Sequence, residues 1–518
     1  MRILPALGWI LTVAAMAQTP DADFRIAVVN DLILQNNELS SWPEDGRIRK
    51  PADAYRQYQE SLAVSASQAL NGGDSLALGL TLRLVNYYQQ TADATLATPD
   101  GSVYRKYLKY SSGGFSLLAG DFYAQLGRGL VLSVEPIDPL LEERTISGGD
   151  LHYQGRWLEF RALAGEVRTE ARDQAWKVEG GELVLKYLQG PAAGINTIGI
   201  HAVRIEDVAT GLTQPFQLSL MRQRTLESAS AGGDNVGHLF NYYFESARLN
   251  WQHLATDAFA LDPGRATYGN LILHSHGLFV MGEYRSYLGF STDIINAQNT
   301  LNNPPLADRD NEENNLNHSD SIRILTQYAF HEPDVAVFAS AGRIRENDNS
   351  TPGTPGFQYD PRTDCGHNVF AGITAEDLFD RLTISAIYGI ENIHYPERRT
   401  DGSAMFRFTP HWSLEFKLRD LRYHSPIDDS LYRESDYNLQ LACSPRFSIY
   451  AMHQYRTDPG LLFAQNQFNS GGIRINFGHG CYLDLSGGAV RGGLVCSGGQ
   501  CREMPDFKGL KLATHMVF

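Results

Sequence analysis

The stretch Ser75–Val85, "SLALGLTLRLV", places Leu76, Leu78, Leu80, Leu82 and Leu84 at every second position, with Ala77, Gly79, Thr81, Arg83 and Val85 between them. Successive side chains point to opposite faces only in an extended chain, whereas a helix groups positions three and four apart. The stretch therefore predicts a β-strand with one leucine face and one small or polar face that carries Arg83. The fold turns on which of these faces is enclosed.

The same pattern recurs in "AMFRFTPHWSLEFKLRDL", residues 404–421. Phe406 and Phe408 stand against Met405 and Arg407, a turn falls at "TPH", and Trp412, Leu414, Phe416 and Leu418 then alternate with Ser413, Glu415, Lys417 and Arg419. This reads as a hairpin with an apolar face and a charged face. Less regular alternation continues through 157–165, 194–205, 236–252, 269–289 and onward to 481–490, and no segment shows comparable helical periodicity. The chain closes on "LKLATHMVF", where Leu510, Leu512, Met516 and Phe518 share one face.

Composition narrows the class. The 518 residues are 43% hydrophobic, with 48 Gly, 25 Tyr and 24 Phe, and beyond the first residues no apolar run approaches the length a membrane helix requires. Residues 1–17 have a charge at Arg2, an apolar run from Ile3 and small residues at Ala15 and Ala17, the layout of a cleavable export signal. The mature chain is expected to begin at Gln18 and to form one domain over 18–518. A net charge of −15 with no basic block argues against a nucleic-acid partner.

Five cysteines are too few to hold a fold of this length together. Cys496 and Cys501, separated by "SGGQ", are the expected disulfide, since glycines let the loop fold back and no further ligands for a metal stand near.

Alternating strands suit both a soluble sandwich, with leucines inward, and a membrane barrel, with leucines toward lipid. Strands of about ten residues or more, aromatic residues near strand ends such as Tyr87, Tyr88, Tyr242, Tyr243 and Trp412, the export signal and the aromatic last residue favour the barrel. The expected fold is all-β, a transmembrane antiparallel up-and-down barrel of roughly 16 to 20 strands.

Two stretches, "LAGDFYAQLGRGLVLS" (118–133) with the "TISGGDLHYQGRWLEFRALAG" that follows, and "GGLVCSGGQCREMPDFKGLKLATHMVF" (492–518), resemble an uncharacterised family of Gram-negative outer-membrane barrel proteins. The resemblance implies a porin-like barrel in the outer membrane and carries no established activity. The alternating apolar tail resembles the signal read by the barrel-assembly machinery.

Passive passage of small polar solutes is the leading functional expectation, with Arg83, Arg128, Arg407, Glu415, Lys417 and Arg419 as pore-lining candidates. Arg128 lies between Gly127 and Gly129, where a strand must bend or approach another segment closely. The alternatives are a non-conducting scaffold or adhesin barrel that binds a partner through its long loops, and a barrel-borne hydrolase. For the hydrolase, "GGDSL" offers Ser75, and "DCGH" offers Asp364 and His367, but Ser75 opens a strand with no helix behind it. His274 and His276 fall on one face of a strand, where two imidazoles could chelate a metal but no third ligand can be named, and the acidic cluster Asp308, Asp310, Glu312 and Glu313 matches no calcium-loop spacing. No cofactor motif is present, and no enzymatic role or cofactor is expected.

Overall fold

A computed structural model of the chain describes residues 24–38, 54–70, 73–90, 95–134, 136–137, 142–168, 175–190, 193–208, 222–253, 263–292, 301–302, 318–330, 334–346, 364–392, 396–424, 430–457, 466–478, 480–491, 493–497, 500–504 and 507–517. Within these, 24 strands hydrogen-bond into one antiparallel sheet. The first strand, Phe24–Glu38, pairs with Ala54–Ala69 on one side and with the last, Phe507–Val517, on the other. Every wall strand thereby has two neighbours, and closure removes the exposed edges that an open sheet would carry.

The 24 strands replace the 16 to 20 expected. At one rim the connections are very short, as at residues 113–114, 276–277 and 408–411, so each strand takes fewer residues than the usual strand and loop. The turn at 276–277 shows why glycine is needed there: Gly277 has φ 83°, and a Cβ on it would stand 2.4 Å from the Ala329 carbonyl oxygen. At the other rim the chain spends longer segments, including 39–53, 209–221 and 347–363, between strands. Unequal rims of this kind are the signature of a barrel threaded through a layer with different surroundings on its two sides.

The alternation read from the sequence sets the faces. Leu78, Leu80 and Leu82 are exposed outside, as are Leu185, Ile198, Ile200, Ile322, Ile324, Leu414, Phe416 and Leu439. A continuous ring of this kind far exceeds the scattered apolar exposure that water tolerates. Toward the short-turn rim it ends in aromatics: Phe408 packs parallel to Trp412 at 6.4 Å, Trp412 meets Phe447 edge-on at 5.8 Å, and Tyr328 meets Phe330 at 4.7 Å.

The inner side holds more than water. After Phe115–Phe122 the chain leaves the wall, and Ala124–Leu126 pairs with Leu132–Val134 as a small hairpin. Leu126, Leu130, Val131 and Leu132 are fully buried and cluster with Val167, Val178, Val203, Ile205, Leu226 and Leu249. Val203 and Ile205 lie on the strand face opposite Ile198 and Ile200, so this hairpin is inside the barrel. A second segment joins it from the long-loop rim: the Ser133 amide donates to the Leu301 carbonyl at 2.7 Å, and Asn302 Nδ2 donates to the Phe290 carbonyl at 2.8 Å. Within the polar stretch around 296–321, Leu301 and Asn302 are buried.

Residues 1–17, Phe518 and the acidic cluster at 308–313 lie outside the described residues.

Candidate functional site in the barrel lumen

Inward-facing polar side chains form a connected lining. At its centre is Glu245, fully buried on the strand Phe240–His253. Its Oε1 accepts from Ser228 Oγ at 2.6 Å, and its Oε2 accepts from the Tyr243 hydroxyl at 2.6 Å and from the Arg128 backbone N–H at 3.0 Å. The carboxylate thus ties the tip of the inner hairpin to the wall. Gly127 makes this approach possible, because a Cβ there would lie 2.3 Å from Glu245 Oε1. The Arg128 guanidinium lies over the Tyr243 ring at 4.8 Å.

On the neighbouring strands, His201 Nδ1 faces Glu182 Oε2 at 3.0 Å and His201 Nε2 faces Ser230 Oγ at 2.9 Å. Carboxylate, imidazole and hydroxyl stand in the order used to activate a nucleophile. Ser230 is buried, however, and its hydroxyl is shared with the Tyr243 phenol, so the chain runs on to Glu245 as a lining of the wall.

Further round, the Arg161 guanidinium pairs two-pronged with Asp150, Arg285 and Arg323 both reach Glu283, and Arg491 pairs with Glu434. Such pairing offsets part of the cost of taking charge out of water, and leaving one partner alone would cost more. The lining is not uniform. Glu283 and Arg285 are covered, whereas Lys417 and Arg474 keep 56% and 48% of their side chains exposed. The inner hairpin lies against one part of the wall, and the buried cluster it forms takes in no described residue of 396–478.

The sequence-derived candidates fall as follows. Arg407, Glu415, Lys417 and Arg419 occupy the face opposite Phe406, Leu414 and Phe416, which is the inner one. Arg407 pairs with Asp377 near the short-turn rim, Glu415 with Lys417 at 3.0 Å, and Arg419 stands in register between Asp401 and Asp436. Arg128 is on the inner hairpin with its side chain exposed. Arg83 sits in register with Ser61 and Ser102, and its side chain is outside the described ones. Leu510, Leu512 and Met516 share the outer face of the last strand. Cys496 and Cys501 stand directly opposite each other in a two-stranded ribbon, Gly493–Ser497 with Gln500–Met504.

Ser75 begins its strand at the short-turn rim, while Asp364 and His367 begin theirs at the long-loop rim, so the three are not brought together. His276 lies in a turn at φ 47°, not on the strand face of His274. Tyr243, expected in an aromatic girdle, belongs to the lumen network. The Glu245 node was not legible in the sequence; the glycines around Arg128 were its only signal. Among the described residues no group of three His, Cys, Asp or Glu side chains gathers as a metal site would.

A closed antiparallel barrel, apolar outside and lined inside by paired charge, is a transmembrane β-barrel of the outer-membrane type. Residues 402–518 match a family of unknown function, DUF6029, and this span includes the second of the two stretches that carried the resemblance. No curated protein matches the chain. Among solved structures it is similar to the translocation pore of the P pilus usher PapC, at 6% identity over 96% of this chain and 99% of that one, with a TM-score of 0.43. It is similar to the siderophore receptor PirA from Pseudomonas aeruginosa at 10% identity, over 95% and 80% of the two chains, with a TM-score of 0.47. It is also similar to OccK9 (OpdG) from Pseudomonas aeruginosa at 11% identity, over 84% and 98%, with a TM-score of 0.38.

Proposed function

We propose that the protein is a porin-like channel of the Gram-negative outer membrane through which small polar solutes pass passively. The observation that carries this reading is the asymmetric lumen: covered on one part of the wall by the hairpin at 124–134, and lined elsewhere by partly exposed charge such as Lys417 and Arg474. A barrel of this strand number is wide enough to hold water, since barrels of about 16 to 18 strands already do. The inner segment then narrows the bore and its exposed Arg128, with Lys417, Arg419, Glu415 and Arg407, selects among solutes by charge. Arg83 is assigned the same role from its position in the sequence. The barrel-assembly machinery is the partner that would read the tail at Leu510, Leu512, Met516 and Phe518.

Planar-bilayer recording of the purified protein tests the proposal. Ohmic single-channel steps are expected. Silence at all voltages, from a protein shown to be inserted, would overturn the channel and favour the scaffold reading, in which the inner segments seal the bore and the long loops hold a partner.

A further inference from the structure

Above the apolar band, on the long-loop side, five of six adjacent strands place basic residues on the outer face. Arg398, Arg422 and Arg433 stand side by side in register on Pro396–Arg407, Trp412–His424 and Leu431–Cys443, and continue the row of exposed Ile390. On nearby strands His367 is in register with Arg343, whose other partner is exposed Ile322, and Arg345 follows two residues later on the same face. In-register neighbours of an antiparallel sheet point to the same side, so all six face outward.

Their height is set by the strand. Arg422 is ten residues beyond Trp412 of the aromatic rim, and at about 3.3 Å per residue and a tilt of about 40° this places it roughly 25 Å away, at the opposite edge of the hydrocarbon layer. Basic side chains there meet lipid headgroups.

The local wiring keeps the guanidinium groups available. Asp420 accepts from Arg422 Nε at 2.9 Å and from Arg433 Nε at 2.6 Å, with Ser435 Oγ on the same oxygen at 2.6 Å. One carboxylate thus orients two arginines through their inner nitrogens while both side chains stay about half exposed, 52% and 42%. Elsewhere at this height the outer charges are matched, as in Lys177 with Glu179 at 2.7 Å and Arg204 with Glu206 at 3.2 Å. Among the described residues the outward acids within the strip are Asp420 and Asp320, the latter opposite Arg345.

We infer that this strip binds the phosphorylated headgroup of a lipid in the leaflet on the long-loop side. Arginine presents a planar fork of donors suited to phosphate, and each basic residue at a charged membrane surface contributes about fivefold in affinity. The inference rests on the membrane reading of the barrel and is independent of whether the barrel conducts.

The test is native mass spectrometry of the detergent-purified barrel titrated with lipid A, and separately with phosphatidylcholine and with inorganic phosphate. Lipid A is expected to be retained in preference to phosphatidylcholine, and inorganic phosphate not to displace it. The variant Arg398→Gln/Arg422→Gln/Arg433→Gln is expected to lose on the order of a hundredfold in lipid A retention, while Lys177→Gln/Arg204→Gln retains it as the natural protein does. Folding is checked for each variant by its resistance to detergent unfolding without heating. A folded triple variant that keeps its lipid overturns the inference alone, and displacement by inorganic phosphate overturns the lipid in favour of a free anion. A chain that stays dissolved without detergent overturns the membrane reading together with it.

Discussion

The Arg128 backbone amide and the Glu245 carboxylate, 117 residues apart in the chain, meet at 3.0 Å inside the barrel. With the Ser228 and Tyr243 hydroxyls this carboxylate accepts from three donors at once. Replacing it by a smaller apolar group leaves buried donors unpaired, each at about 1–3 kcal/mol. Glu245→Ala is therefore expected to release the inner hairpin while the wall persists, and single-channel recording should show larger or noisier steps than the natural protein. Gly127→Val, which drives a side chain into Glu245, is expected to do the same. Unchanged conductance in both would remove the hairpin from the constriction.

Charge exchange at the open wall reads the lumen directly. Lys417→Glu and Arg419→Glu, on the inner face, are expected to move the reversal potential in a salt gradient toward cation preference. Arg204→Glu, on the outer face beyond the band, is expected to leave it in place. Equal shifts from all three would mean that the inner and outer faces are assigned wrongly.

The outward band is tested by burying charge in it. Ile200→Arg and Leu80→Arg place a cation where Ile200 and Leu80 now face outward. A midplane arginine costs about 2–4 kcal/mol. Urea titration of the barrel in lipid vesicles should show a loss of that size, and an unchanged midpoint would contradict lipid contact at these sites.

A pH effect is expected at the short-turn rim. Hydrogen bonds from Ser112 and then Tyr110 hold the Asp74 carboxyl below its ordinary value of 3.8. A carboxyl with a lowered folded value contributes its stability above the unfolded value and loses it as pH falls through the folded one. The turn should thus be intact at neutral pH and loosen only in strong acid. Carbon-13 titration of the Asp74 carboxyl should give a midpoint below 3.8, and Tyr110→Phe should raise it.

Directly opposed positions in an antiparallel ribbon lie close enough for a disulfide, and Cys496 and Cys501 occupy such a pair. Alkylation before reduction should label Cys443 and Cys481, which are free thiols, and spare Cys496 and Cys501 until reductant is added. Labelling of all of them at the first step would refute the pairing.

Much of the wall was legible beforehand because strand alternation is a local property. Leu78 and Leu80 against Thr81, or Leu414 and Phe416 against Glu415 and Lys417, declare opposite faces within a few residues. The aromatic ends were legible at Trp412 and misread at Tyr243, where the two faces of one strand both carry a tyrosine and only register decides which is enclosed. The strand number was underestimated because turn length at each rim is not encoded in alternation.

Periodicity of two and the placement of leucine and arginine along each strand determined, from the sequence alone, that this chain makes a sheet with a lipid-compatible face and a charged one. Only the tertiary structure decided that 24 strands close on themselves, that a hairpin turns inside to meet Glu245, and that Arg398, Arg422 and Arg433 form one row. The physical reason is range: side-chain direction follows from the neighbouring peptide units. Closure, the inner contact and the row depend instead on hydrogen-bond register between segments far apart in the chain.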